Sequence, residues 1–230
     1  MVYSGPTCSG KTTLAKHLRR IIPNSVIIHQ DDFARFEMHP EWDVPDWDTP
    51  AGAIEWPLFV SFLRKFKTTG MMPLDRRRLD YLTTQKDVQM RDEIERWYRD
   101  SFAQLELDIV KGEGERIIWG LVDGFLLYWD EDVINQLDVR IFLRAPHEVR
   151  KKRREERYDP PHYWEQVVHP AYVEAHFELF EDGDVENGKP TGQKVGNLVL
   201  IDTLEMGTSD VVKRCCKILL EHAKSLEVGR

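Results

Sequence analysis

The sequence predicts an α/β fold, a parallel sheet with helices on both faces, and three observations predict it. Short β-branched runs alternate with amphipathic helical stretches, a glycine-rich loop joins the first apolar run to the first helix, and the composition is that of a soluble globular chain. Of 230 residues, 41% are hydrophobic and 31% charged, with 14 Gly and 12 Pro dispersed along the chain. One core with appendages, a single domain over residues 1–230, is therefore expected, and a fibrous, collagen-like or wholly disordered chain is excluded.

Met1 to Ser4 is a very short apolar strand, and Thr13 to Ile22 is the first helix, broken by Pro23-Asn24. Ser25 to His29 has the β-branched density of a buried strand and runs into Gln30-Asp31-Asp32-Phe33. Ala34 to Pro50, rich in Pro, Trp and acids without a period, reads as an ordered surface loop of the kind that carries sites. Ala51 to Lys67 reads as helix. Residues 75–108 form a charged, peripheral segment whose Val88, Ile94, Trp97, Tyr98, Phe102 and Leu105 suit amphipathic helices. Arg116 to Val122 is a buried strand leading into Asp123-Gly124-Phe125, and Val139 to Leu143 is the next. His147 to Tyr158 is a charge-dense helix interrupted by Pro160-Pro161, and Tyr163 to Phe180 a further helix with aromatic residues on several turns. Asn197 to Ile201 is the last strand. Ser209 to Leu226 is the last helix, with Val212, Cys215, Leu219 and Ala223 on one face.

The formal charge of −8, from 32 Lys+Arg against 40 Asp+Glu, argues against a general binder of nucleic acid or anionic membranes. Three cysteines, two of them the adjacent Cys215 and Cys216, offer neither a disulfide framework nor zinc spacing. With no basic leader and no run approaching 18 apolar residues, cytoplasmic residence is expected, with the nucleus as an alternative.

Gly5-x-x-x-x-Gly10-Lys11-Thr12 is a complete phosphate-binding loop pattern, placed between an apolar strand and a helix start as the physics requires. The loop from Gly5 and Pro6 through Thr7, Cys8, Ser9 and Gly10 to Thr13 would cradle a nucleotide's phosphates at the positive end of the helix, every residue but Pro6 offering a backbone N–H. Lys11 would reach the β and γ phosphates, and the Thr12 hydroxyl would ligate magnesium. Asp123, at a strand end, reads either as the magnesium-holding acid that such a loop demands or as a helix cap. Asp31 and Asp32 end a strand on the ligand-binding side of the sheet. One can take a proton from an attacking hydroxyl and the other can cap or accept a structural bond, and the residue types do not separate them.

Arg150 to Arg157 crowds six cations into eight positions of an acidic protein. It reads either as a solvated helix with i,i+4 pairs or as a lid whose arginines neutralise phosphoryl charge. Asp46-Trp47-Asp48-Thr49-Pro50 joins an aromatic plane to carboxylates. That suits a nucleoside held by stacking and by hydrogen bonds to its hydroxyls, and equally a tryptophan covering the core beside a helix start. His162, Tyr163, Trp164, His169, Tyr172 and His176 read as packing and hinge positions, since no spacing among them makes a metal site.

Together, Gly-Pro-Thr-Cys-Ser-Gly-Lys-Thr-Thr, Ile-His-Gln-Asp-Asp-Phe, Asp-Trp-Asp-Thr-Pro, Val-Asp-Gly-Phe-Leu-Leu-Tyr, the Arg-Ala-Pro-His-Glu-Val-Arg-Lys-Lys-Arg-Arg run and Gly-Asp-Val-Glu resemble the nicotinamide riboside kinases, especially the fungal ones, from Gly5 to about Glu186. The resemblance implies a three-layer P-loop NTPase fold with a five-stranded parallel sheet and a helical lid at about 147–165. It implies ATP as co-substrate, Mg2+ as cofactor, and a pyridine riboside as acceptor, with uridine or cytidine kinase as the nearest enzymatic alternative. A non-catalytic P-loop regulatory protein is the alternative of another class. It further implies Asp31 as general base near the metal, Thr12 and Asp123 as metal positions, and Lys11 as a catalytic cation. Arg153 and Arg157 would lie near ATP. Trp47 would stack on the nicotinamide ring, Asp48 would bind the ribose hydroxyls, and Asp32, Phe33, Arg154 and Tyr158 would complete the substrate site. No nucleic-acid or membrane partner is expected, and a monomer is favoured.

Overall fold

Five parallel strands form one sheet in the order β2-β3-β1-β4-β5. They are β1 Val2–Ser4, β2 Ser25–His29, β3 Trp119–Gly124, β4 Arg140–Arg144 and β5 Val199–Asp202. The structure is a computed structural model and describes residues 2–39, 41–42, 46–72, 88–114, 116–155 and 160–228. The short β1 is the central strand. It pairs on both edges, with Tyr3 opposite Asp123 on one side and Ile141 on the other, so three residues suffice to hold it in register.

Successive strand residues point to opposite faces, and both faces are apolar, which is why helices cover each. On one side Ile28, Val122 and Phe142 pack with Phe59, Leu63 and Leu127. These come from helix α2, Trp56–Thr69, and from the chain before the single-turn helix α4, Glu131–Ile134. On the other side Tyr3, Leu121, Ile141 and Ile201 pack with Leu14 and Leu18 of helix α1, Lys11–Ile21. They also meet Phe102 of helix α3, Asp92–Glu113, and Val212 and Leu219 of helix α7, Thr208–Val228. The remaining helices are α5, His147–Arg154, and α6, His169–His176.

Where the structure departs from the sequence reading, the causes are local. The helix expected from Ala51 begins at Trp56, because Pro57 sets its first turn and Ile54 is held in a bridge to Ala34. The strand expected from Arg116 begins at Trp119, and Ile118 is exposed. The helix expected over Tyr163 to Phe180 is three pieces: a π turn Trp164–Val168, then α6, then a 3₁₀ turn Phe177–Leu179. Pro170 carries no N–H for an i→i−4 bond, which accounts for the widened turn before it. Of the segment 75–108, residues 75–87 lie outside the described residues. The described remainder is not peripheral: α3 buries Tyr98, Phe102, Leu105 and Ile109 between α1 and α7, while Trp97 faces outward.

His176 closes α6 inside the core, its Nδ1 2.8 Å from the Tyr172 carbonyl oxygen and its ring 5.2 Å from that of Phe142. Burial pulls its pKa from 6.5 down to about 4. Between those values the unfolded chain binds a proton that the folded chain refuses, so stability is complete above pH 6.5 and falls as the pH drops toward 4. The loss is about 3 kcal/mol at most. Urea titrations across this range should show that slope, and His176→Phe should flatten it.

Candidate active site

The C-terminal ends of the strands deliver the chemistry-bearing groups to one rim of the sheet, as open α/β sheets do. Gly5 leaves β1 against the backbone of β4: a Cβ there would lie 2.3 Å from the Leu143 carbonyl oxygen. Gly10 stands at the N-cap of α1 with φ 98°, a left-handed conformation natural to glycine. Between them the loop folds back, with the Ser9 N–H donating to the Pro6 carbonyl oxygen at 3.3 Å and Lys11 Nζ donating to the same oxygen at 2.8 Å.

Thr12, at the start of α1, donates through Oγ1 to Asp123 Oδ2 at 3.2 Å. Asp123 is nearly buried at the end of β3, and His29 Nδ1 stands 3.3 Å from the same oxygen. Asp31 sits just after β2 in a 3₁₀ turn, Gln30–Phe33. That turn is tied to the next strand by the fully buried Gln30, whose Oε1 accepts from the Phe125 and Leu126 N–H groups at 3.1 and 2.9 Å. Asp31 has surface open to solvent, yet the cleft around it holds its pKa above the ordinary aspartate value. Desolvation is the main cause and the charge of Asp123 the next, with Lys11 and His29 opposing them. Asp31, Asp123, Lys11 and His29 thus lie within electrostatic reach of one another. Asp32 is only partly exposed. Phe33 is a correction: its side chain belongs to the core, 4.7 Å from the Phe59 ring and 5.1 Å from that of Phe62, and is not free to meet a substrate.

A second group forms around Asp48. Arg154 of α5 meets it as a fork, Nη1 to Oδ1 and Nη2 to Oδ2, each at 3.1 Å, and the Tyr163 hydroxyl donates to Oδ2 at 3.3 Å. Asp46 is occupied locally, accepting from the Thr49 N–H and hydroxyl. Trp47 between them is half exposed, so it does not cover the core. Arg153, one residue before the fork, donates through Nη1 to the Cys8 carbonyl oxygen at 2.9 Å. It borders a cavity of about 390 Å³ that runs from Ser9 and Thr13 to Thr203, Met206 and Thr208 beyond β5. Arg157 and Tyr158 lie outside the described residues.

The cation run serves neither of its two expected roles throughout. Arg150 is fully buried, with Nε donating to the Ala145 carbonyl oxygen at 2.8 Å, Nη2 paired with Glu186, and its guanidinium 4.3 Å from the Tyr172 ring centre. Sequence reading also missed Tyr163 as a neighbour of Asp48, His29 as a neighbour of Asp123, and the post-β5 residues of the cavity. A Tyr among aromatics carries no local mark of its distant partner.

The donor set suits magnesium. Thr12, Asp123 and Asp31 offer hard oxygens and leave positions for phosphate oxygens and water, the pattern of P-loop magnesium sites. Among the described residues no group of three or more His, Cys, Asp and Glu makes a self-contained metal site. None of the described helices is long and apolar enough to cross a membrane.

A phosphate cradle on the central strand, an acid on the neighbouring strand and arginines reaching in from beyond β4 define a P-loop phosphotransferase. The family described as "AAA domain" matches residues 2–169. The nicotinamide riboside kinase of Schizosaccharomyces pombe is 32% identical over 194 residues, 79% of this chain and 80% of its own length. That of Saccharomyces cerevisiae is 31% identical over 200 residues, 81% and 80% of the two chains, and human nicotinamide riboside kinase 1 is 29% identical over 76% and 75%. The chain belongs to the nicotinamide riboside kinase family. A solved sugar kinase of Janibacter sp. HTCC2649 aligns over 95% of this chain and 92% of its own at 15% identity and a TM-score of 0.41, a likeness too loose to carry detail.

Proposed function

We propose that the protein transfers the γ-phosphoryl group of ATP to the 5′-hydroxyl of nicotinamide riboside, and of nicotinic acid riboside, giving the mononucleotide for NAD synthesis. The observation that carries this reading is the neighbourhood of Asp31 with Lys11 and Asp123 on one side of the rim and the Asp48–Arg154–Tyr163 group on the other, in a chain of this family.

In this reading the loop from Gly5 to Thr13 holds the triphosphate, and the nucleoside of ATP fills the cavity between Ser9, Arg153 and Met206. Lys11 exchanges its bond to the Pro6 carbonyl for the transferring phosphoryl oxygens. Asp31 accepts the proton of the 5′-hydroxyl as that oxygen attacks in line. Asp48 orients the ribose through its hydroxyls, and Trp47 offers a ring face for the pyridinium. Arg153 and Arg154 absorb charge from a lid at about 147–165, within one domain acting as a monomer. Magnesium, held by Thr12, Asp123 and Asp31, would neutralise phosphate charge when bound. A reducing, cytoplasmic setting agrees with three free cysteines.

Phosphorylation of nicotinamide riboside, nicotinic acid riboside, uridine and cytidine with magnesium-ATP tests the reading. Turnover of the pyridine ribosides with little on the pyrimidines is expected, and the reverse preference would overturn the substrate assignment. ATP binding without turnover of any riboside would favour a regulatory protein.

Asp48→Asn removes one acceptor charge from the Arg154 fork and weakens hydrogen bonding to the ribose. The riboside KM should rise about 10-fold while the ATP KM stays nearly constant, which steady-state kinetics with each substrate varied would show.

A further inference from the structure

Beside Asp48 lies a small, partly open cavity of about 20 Å³, room for one water-sized group, bordered by Thr7, Phe125, Arg150, Tyr172 and His176. Arg150 is 0% exposed, and its guanidinium is fixed on three sides: Nε on the Ala145 carbonyl oxygen, Nη2 on Glu186, and the Tyr172 ring against its plane. Nη1 is buried and has no partner. A guanidinium stays charged at any working pH and carries no acceptor, so an Nη1 held this way calls for an oxygen. The cavity is too small for a phosphate and fits a single carbonyl or carboxylate oxygen. His176 beside it is neutral near pH 7 and adds no second charge. Glu186 is already paired with the guanidinium, Asp48 on the cavity wall is bound by Arg154 and Tyr163, and His169, within reach of the Arg150 charge, is held toward its neutral form by burial.

We propose that Arg150 is a specificity-determining residue of the acceptor site, its buried Nη1 donating a hydrogen bond to the exocyclic carbonyl oxygen of the pyridine ring. The inference rests on the riboside-kinase reading and deepens it: Asp48 on the cavity wall places the ribose at the mouth, and the ring substituent is the oxygen-bearing group that follows. Trp47 would read the ring face whatever its substituent. Arg150 would separate pyridines that carry an oxygen there from those that do not. Glu186 and Tyr172 hold the fork in place beforehand, so little ordering is needed on binding.

The test compares kcat/KM for nicotinamide riboside, nicotinic acid riboside and the riboside of unsubstituted pyridine in the wild type, Arg150→Met and Arg150→Lys. The wild type should favour both substituted ribosides. Arg150→Met should lower the preference for the substituted over the unsubstituted riboside by about 10–100-fold in kcat/KM, most for the carboxylate because it adds an opposite charge to the bond, whatever loss the variant shows on all three alike. Equal losses on all three substrates would mean that Arg150 only supports the fold, and would overturn the proposal. Should the Met variant lose its cooperative thermal transition, Arg150→Lys carries the same comparison, since it keeps a cation on Glu186 but not the fork. Wild-type turnover of all three ribosides without discrimination overturns this inference and leaves the riboside-kinase reading standing. Turnover of none overturns both.

Discussion

Asp31→Asn lowers kcat for nicotinamide riboside by about 10²–10⁴-fold, the expected result for a general base, while ATP binding measured without magnesium stays nearly unchanged. Asparagine keeps the size of the side chain in the turn that Gln30 secures, so the loss is chemical and not a failure to fold. The same carboxyl sets the acid limb of the pH profile. Its pKa is raised, by desolvation first and Asp123 second, and the group must be ionised to accept a proton. Activity therefore falls as the pH drops through the range in which Asp31 takes up a proton, a range that lies above the ordinary aspartate value in the metal-free protein. Single-turnover rates against pH, with ATP affinity measured by calorimetry, check both statements. Retained turnover, or an equal loss of ATP affinity, would remove Asp31 from the role of base.

Gly5→Ala should nearly abolish ATP binding and also destabilise the fold. The added Cβ would sit 2.3 Å from the Leu143 carbonyl oxygen and 3.0 Å from Ser9 Oγ. The first neighbour is backbone of β4, which is paired to both β1 and β5 and cannot yield cheaply. The loop must therefore lift away from the strand, misplacing the N–H groups meant for the phosphates. The overpacking should cost about 1–3 kcal/mol, a fall in Tm of several degrees for a chain of this size. Gly10→Ala is the informative control. It meets nothing within 4 Å but must hold φ 98°, so it should strain the helix start without displacing Leu143. Thermal melts and ATP titrations of the two variants would separate steric from conformational damage.

What could be read in the sequence was the chemistry carried by neighbours in sequence. Gly5 to Thr12 is a contiguous motif, and Asp31 and Asp123 each end a β-branched run, so composition alone put them on one rim. Arg154 entered the substrate site by family resemblance, and nothing in the sequence paired it with Asp48. The groups that escaped are those whose partners lie far along the chain: Tyr163 is 115 residues from Asp48, Arg144 is 58 from the Asp202 that its fork binds, and Arg150 is 36 from Glu186. A charge run looks the same in sequence whether a member faces water, a phosphate loop or the core. Only packing separated Arg150, which is buried, from Arg153 and Arg154. The broken helix after Tyr163 escaped for a different reason, because aromatic spacing stays helical through a π turn while the hydrogen bonds do not.

The strand order β2-β3-β1-β4-β5 has a consequence for how such a site can be altered. Read across the sheet, it presents Asp31, then Asp123, then the phosphate loop, then α5 with its arginines, then the Thr203–Thr208 wall of the cavity that Arg153 borders. Asp31 and Asp123 thus stand on one flank of the phosphate loop and the cavity wall after β5 on the other, while α5 reaches to both, Arg154 to Asp48 and Arg153 to the loop at Cys8. Loop exchange in residues 34–50, beyond β2, would retune which alcohol is accepted only if Asp48 is kept, because its fork with Arg154 anchors the end of α5 that also carries Arg153 to the phosphate loop. Changes after β5 can shift nucleotide choice with the acceptor flank intact. The two selectivities would be separable at the outer edges of the sheet, beyond β2 and beyond β5, and coupled where α5 serves both.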